Sequence, residues 1–143
     1  MIDWNYLGDI LQALILALTL GGLIGFEREM ADRWAGLRTH MLVSLGSAIF
    51  VLLGRDFTEN NPAEITRVIQ GVAAGVGFIG AGTILKLSEK MEVRGLTTAS
   101  SVWLSAAVGV ACGLNRFTLA VVGTLLTLIV LFVLRRIEKN LLE

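Results

Sequence analysis

The stretch Phe117–Leu134 runs for 18 residues without a charged side chain, and Ile10–Phe26 runs for 17. A helix rises about 1.5 Å per residue, so either run covers most of a hydrocarbon layer about 30 Å thick. No water is available inside such a layer, so a crossing segment must satisfy its own backbone hydrogen bonds as a helix. Composition points the same way. The chain is 55% hydrophobic and only 17% charged, with one proline, where a soluble domain carries about a quarter charged residues. Its mean hydropathy is +0.74. The first run does not read as a cleaved signal peptide. Its leader, "MIDWNYLGD", has two aspartates and no lysine or arginine, and no small-x-small site follows. The single cysteine, Cys112, has no internal disulfide partner and is expected to pack as a small hydrophobe.

These properties predict an all-α polytopic bundle of five spans, near 10–28, 38–54, 66–86, 97–113 and 117–134, forming one membrane domain. Breaks fall at "WAG", "GRDFTENNPAE", "LSEKMEVRG" and "GLNR", each a charge or turn cluster. Basic residues sort by side. Arg28, Arg33, Arg38, Lys86, Lys90, Arg94, Arg135, Arg136 and Lys139 fall on one side, and Arg55, Arg67 and Arg116 on the other. The positive-inside rule then places the N-terminus outside and the C-terminus in the cytoplasm.

Spans one and two read as a duplicate of spans three and four. "GLRTHMLVSLGSAIFV" (36–51) and "GLTTASSVWLSAAVGV" (95–110) share seven of 16 positions, and "GLIG" at 22 matches "GFIG" at 77 upstream. Small residues crowd these spans: Gly21 and Gly25 in the first, and Gly71, Gly75, Gly77, Gly80 and Gly82 in the third. Membrane helices adhere by close backbone approach, which small residues permit, so packing is the first reading of these glycines. The other is a helix broken within "GVGFIGAG", whose freed backbone groups would line a site. Span five is bulky and is expected to face lipid.

The charged threshold "FEREMADRWAGLRTH" raises a sharper question. Along one extended helix Arg28 would pair with Asp32, and Glu29 with Arg33. Glu27 lacks such a partner. It is expected against the N-terminus of span two and Arg38, which would lock span one to its neighbours. A cytoplasmic-face polar cluster of Glu27, Arg28, Arg38, Thr39, His40, Arg94, Thr97 and Thr98 follows. The alternative is that these charges only mark the membrane edge. A lone His40 cannot hold a metal, although an unperturbed imidazole titrates near neutral pH and could sense it. No metal ligand set can be assigned, and no cofactor is called for.

"GGLIGFERE", "AGLRTHMLVSLGSAIF", "GVGFIGAGTIL" and "VRGLTTASSVWLSAAVGVACG" together resemble the membrane domain of the MgtC/SapB family, over about residues 10–115. The resemblance implies a five-span bacterial inner-membrane protein associated with growth under magnesium limitation and, in pathogens, with survival inside host cells. The family's motif residues carry over as Glu27, Arg28, Gly36, Leu37, Arg38, Thr39, Gly77, Gly80, Gly82, Gly95, Leu96, Thr97 and Thr98. Many members add a cytoplasmic C-terminal domain. This chain stops about nine residues after its last span and reads as the short form.

Magnesium takes near-octahedral oxygen ligands, usually with carboxylates, and the spans hold no carboxylate at mid-membrane depth. The first functional expectation is therefore a regulator of membrane transport complexes acting by helix association, ATP synthase being one partner the resemblance implies. An oligomeric magnesium or other ion transporter is the alternative. No paired acid–base set points to an enzyme, and nothing points to nucleic acid. The expected partners are the lipid bilayer, a second copy of the chain (a dimer being favoured) and another membrane complex.

Overall fold

A computed structural model of the chain describes residues 4–87 and 92–137. The loop 88–91 and tail 138–143, with Lys90 and Lys139 of the charge count, lie outside the described residues. Five helices run in order: α1 (Trp4–Met30), α2 (Leu37–Phe57), α3 (Pro62–Ala81), α4 (Leu96–Gly113) and α5 (Phe117–Ile129). A π-helical turn at Val130–Leu134 extends α5, so that 117–137 forms one apolar rod. By length and composition α1, α2, α4 and the extended α5 suit a membrane crossing. α3 is 20 residues long, but its glycines and the polar Glu64, Arg67 and Gln70 dilute its hydropathy. The exterior is what lipid requires: Phe26, Phe50, Phe78, Leu119, Leu126 and Phe132 all face outward. This is a membrane protein with an all-α bundle.

Turn chemistry sets the helix ends. α1 closes at Asp32, whose φ of 53° is left-handed, with Arg33 N–H bonding Arg28 C=O and Asp32 N–H bonding Glu29 C=O. α4 ends the same way at Asn115, where φ is 57°, through Arg116 N–H to Ala111 C=O and Asn115 N–H to Cys112 C=O. Asn61 caps α3 by accepting from Ala63 N–H at 3.0 Å, and Pro62 fits the first helical position.

The third span is shorter than expected. α3 stops at Ala81, and Leu85–Leu87 pairs antiparallel with Glu92–Arg94, Leu85 opposite Arg94. Hydropathy carries on through "TILKL", but it does not separate a strand from a helix. The helix runs unbroken through Gly75, Gly77 and Gly80 and ends at Ala81, with Gly82 as its C-cap, so no break falls among those three glycines. Gly95 then starts α4 at φ 96°, where a β-carbon would collide with the Thr83 carbonyl oxygen, so only glycine fits.

α4 touches all four other helices. Its tightest neighbours are α1 and α2, and the three meet through small residues: Ala17, Ala48, Ala111 and Cys112 are all buried. A β-carbon on Gly21 would stand 2.7 Å from Ser44 Cβ, and one on Gly25 2.8 Å from Leu37 Cα. Gly109 meets the Ser44 backbone still more closely. α5 lies against α1 and α4 along Ala120, Thr124, Thr127 and Leu131 and turns its bulk outward.

α3 behaves differently. Its N-terminal half touches α2 where Val68 meets Gly54, and its C-terminal end touches α4 where Gly80 would bring a β-carbon 3.3 Å from Ala99 O. Between those two points α3 stands away from α2. The groove left open, about 730 Å³, is lined by Leu42, Val43, Gly46, Phe50, Gly71 and Gly75. Gly71, Gly75 and Gly77 have nothing within 4 Å of an added β-carbon. Gly71 and Gly75 share a face that borders this groove, whereas Gly77, about 200° round the helix from Gly75, borders a separate hollow beside Ala99 and Trp103 of α4. Contrary to the packing expectation, among the described residues none of the three makes a close helix contact.

Candidate functional site

The buried face of α1 follows one helical stripe, through Ala13, Ala17, Gly21, Ile24 and finally Arg28. Arg28 is thus carried inward by the same periodicity that builds the core, and is only 2% exposed. A guanidinium in such a place needs a counter-charge. Glu27 supplies it: Arg28 Nε and Nη2 both donate to Glu27 Oε2. The other carboxylate oxygen, Oε1, is buried without a hydrogen bond, and Arg135 at the far end of α5 approaches it to 3.7 Å. Glu27 therefore joins α1 to α5.

The N-terminus of α2 receives a different carboxylate. Gly36 offers no side-chain cap, and Leu37 N–H donates to Glu29 Oε2 at 2.7 Å. The turn at Asp32 folds Glu29 back over the start of α2. The expectation placed Glu27 there, with Arg38 beside it. The structure gives that place to Glu29 and leaves Arg38 exposed. α1 ends at Met30, so the expected pairs of Arg28 with Asp32 and Glu29 with Arg33 lack the continuous helix they required.

One turn into α2, His40 is fully buried. Its Nδ1 lies 2.8 Å from Gly36 O, and its Nε2 3.0 Å from Ser101 Oγ on α4. A carbonyl only accepts, so Nδ1 carries a hydrogen. Ser101 Oγ also reaches Thr98 O at 2.9 Å, which brings Thr98, 5% exposed, into the same group through its backbone. Four residues further along the two helices are Ser44 and Ser105. Both are fully buried, and neither hydroxyl has a partner. The remaining expected members stand apart from this group: Thr97 and Arg94 are exposed, and Thr39 is half-buried.

Ser101 was not singled out from the sequence, and no place in the site was read for Ser44, Ser105 or Arg135. A signal for the serines was present. Positions 40, 44, 47 and 51 of α2 and 101, 105, 109 and 113 of α4 are helical stripes of buried, mostly small or polar residues. At the opposite end of the bundle Arg55 Nη1 donates to Gly113 O at 2.9 Å, satisfying the end of α4. Tyr6 O–H there donates to Asp56. Among the described residues no three of His, Cys, Asp and Glu gather in a metal-holding group.

Comparison with known proteins adds a lineage. The model of the MgtC family matches residues 14–140. Protein MgtC of Salmonella typhimurium strain LT2 is 41% identical over 128 residues, covering 90% of this chain and 53% of that protein. Protein MgtC of Brucella abortus is 44% identical over 138 residues, covering 96% and 56%. Protein SrpB of Synechococcus elongatus is 41% identical over 138 residues, covering 88% and 75%. This chain thus spans about half the length of the MgtC relatives it matches. No solved structure matches it.

Proposed function

The chain belongs to the MgtC family, and from that premise we propose that it is an inner-membrane regulator in magnesium homeostasis that binds other membrane complexes through α3. The observation that carries this reading is the open face of α3. Gly71 and Gly75, four residues apart on one face, present bare backbone to the outside. Beside them runs an apolar groove long enough to seat another helix. Gln70 is exposed on the same helix, about 12 Å along its axis. An amide at that depth gains about 1–2 kcal/mol by bonding across to a neighbouring helix. Lipid chains do not call for glycines at close-approach spacing; a partner helix does.

A transport complex such as ATP synthase, or a second copy of the chain, is the partner this face fits. The carboxylates of the site support regulation over conduction. Glu27 is held by two arginines and Glu29 by a helix N-terminus, so neither is left to strip a magnesium ion of its water. Orientation follows from the basic residues, with the α1–α2 turn in the cytoplasm.

The test joins growth to flux. In a host deleted for its own copy, the wild-type chain is expected to restore growth under magnesium limitation, and Gly75→Leu with Gln70→Leu to fail while still accumulating as folded protein. Purified wild type in liposomes is expected to carry no divalent flux. Magnesium flux by the purified chain would overturn the reading in favour of a transporter.

A further inference from the structure

The stripe Ser101, Ser105, Gly109 and Gly113 of α4 faces α2 along its whole length. Ser101 meets His40, Gly109 meets the Ser44 backbone, and Gly113 meets Ala48 and Val51. The two helices therefore run the same way, and Ser105 looks into the interval between His40 and Ser44. Ser44 carries its side chain at the junction of this seam with α1, where Gly21 stands against its Cβ, and among the described residues the fully buried Ser44 Oγ and Ser105 Oγ have no hydrogen bond. Serine in a helix ordinarily satisfies itself on the carbonyl four residues back, as Ser47 does with Val43 O at 2.8 Å. Two neighbours that both decline this option, at one step of one seam, point to a shared third partner. A water molecule accepts and donates to both.

His40 stands one turn away, and its bonding is two-valued. Nδ1–H is committed to Gly36 O. In the neutral ring Nε2 is a bare lone pair and takes the Ser101 hydrogen. In the protonated ring Nε2–H donates to Ser101 Oγ, and the Ser101 hydrogen turns to Thr98 O, already within reach at 2.9 Å. Both protonation states are fully bonded by the same three residues. Hydrogen bonding to both forms offsets part of the cost of charging the ring inside a bundle.

We propose that the α2–α4 seam holds internal water between Ser44 and Ser105, and that His40 exchanges protons with it through Ser101, making the seam a proton-binding site within the membrane domain. In the loading step a hydronium gives its proton to Ser101 Oγ as Ser101 passes its own to Nε2. Water is left, Ser101 stays neutral, and the imidazole becomes imidazolium. The charged groups facing the ring are Glu27 and Arg28 of α1. Arg135 of α5 reaches it only through Glu27, Arg38 of α2 is exposed, and α4 brings no charge. Beyond Ser44 the seam closes on Gly109 and Gly113, so the site does not continue along the bundle as a pore.

His40 is the only histidine in the chain, so its two ring nitrogens are unambiguous by solid-state ¹⁵N NMR in lipid bilayers. At about pH 8 the hydrogen is expected on Nδ1 alone, and at about pH 5 on both nitrogens. Magnetisation from water is expected to reach the ring, and Ser44→Ala with Ser105→Ala is expected to cut that transfer several-fold while the helical fingerprint stays. A ring hydrogen on Nε2 at high pH overturns the proposal. So does a ring unchanged across this range, or a double variant that receives water magnetisation as fast as wild type.

Discussion

A side chain at Gly109 has nowhere to go, because its β-carbon would lie 2.8 Å from the Ser44 carbonyl carbon, whereas Gly75 has open space. Gly109→Ala is therefore expected to cost about 1–3 kcal/mol or more. Gly75→Ala should change stability by no more than about 1 kcal/mol, with helix propensity in its favour. Thermal unfolding in detergent compares the two. The charged residues give a second contrast. Glu27 and Arg28 form a buried pair, so Glu27→Gln should cost about 3–5 kcal/mol. The double variant Glu27→Gln/Arg28→Gln should be less harmful than the summed singles, while Glu27→Gln/Arg38→Gln should be additive within about 0.5 kcal/mol. Glu29→Gln weakens the α2 cap and is expected to lose about 0.5–2 kcal/mol. Equal coupling of Glu27 to Arg38 and to Arg28 would contradict this arrangement. That Glu27 sits on a helix face beside the core was readable from its spacing. Which carboxylate reaches α2 was not, because the answer depends on a left-handed turn at Asp32 that sends Glu29 back over Leu37.

Helices α1, α2, α4 and α5 were legible because uncharged length alone defines a crossing segment. The end of α3 was not. "TILKL" continues the apolar run past Ala81, and only the pairing of Leu85–Leu87 with Glu92–Arg94 shows that the chain has become a strand. The glycines of α3 were read by type, whereas their role depends on direction: Gly80 faces α4, while Gly71 and Gly75 face away. The middle of α3 packs one face, Val72 and Val76, against Val102 and Ala106 of α4 and leaves another, at Gly71 and Gly75, bordering the open groove. Amide hydrogen exchange in the middle of α3 is accordingly expected to be faster than in the middle of α4, by at least ten-fold if the difference in local opening exceeds about 1.4 kcal/mol. Equal protection would place α3 in a well-packed setting, as a stable partner helix would provide.

Across the whole molecule the basic residues predict opposite fates for the two ends of the bundle. A cysteine replacing Asp32 is expected to be labelled by an impermeant reagent only from the cytoplasm, and one replacing Asn60 only from outside; buried Cys112 should stay silent. The reverse pattern would also place the His40 end of the bundle nearer the other compartment. The central place of α4 has a further consequence, for synthesis. His40 and its partner Ser101 are 61 residues apart, and at about 5–20 residues per second a ribosome takes about 3–12 s to cover that distance. During this interval α1 and α2 already lie in the membrane, with an imidazole nitrogen and the Ser44 hydroxyl waiting for a helix not yet made. Polar groups without partners are costly in the hydrocarbon layer until a mate arrives. A chain truncated after α3 should therefore linger at the insertion machinery and be degraded, whereas one truncated after α4 should be released as a packed bundle.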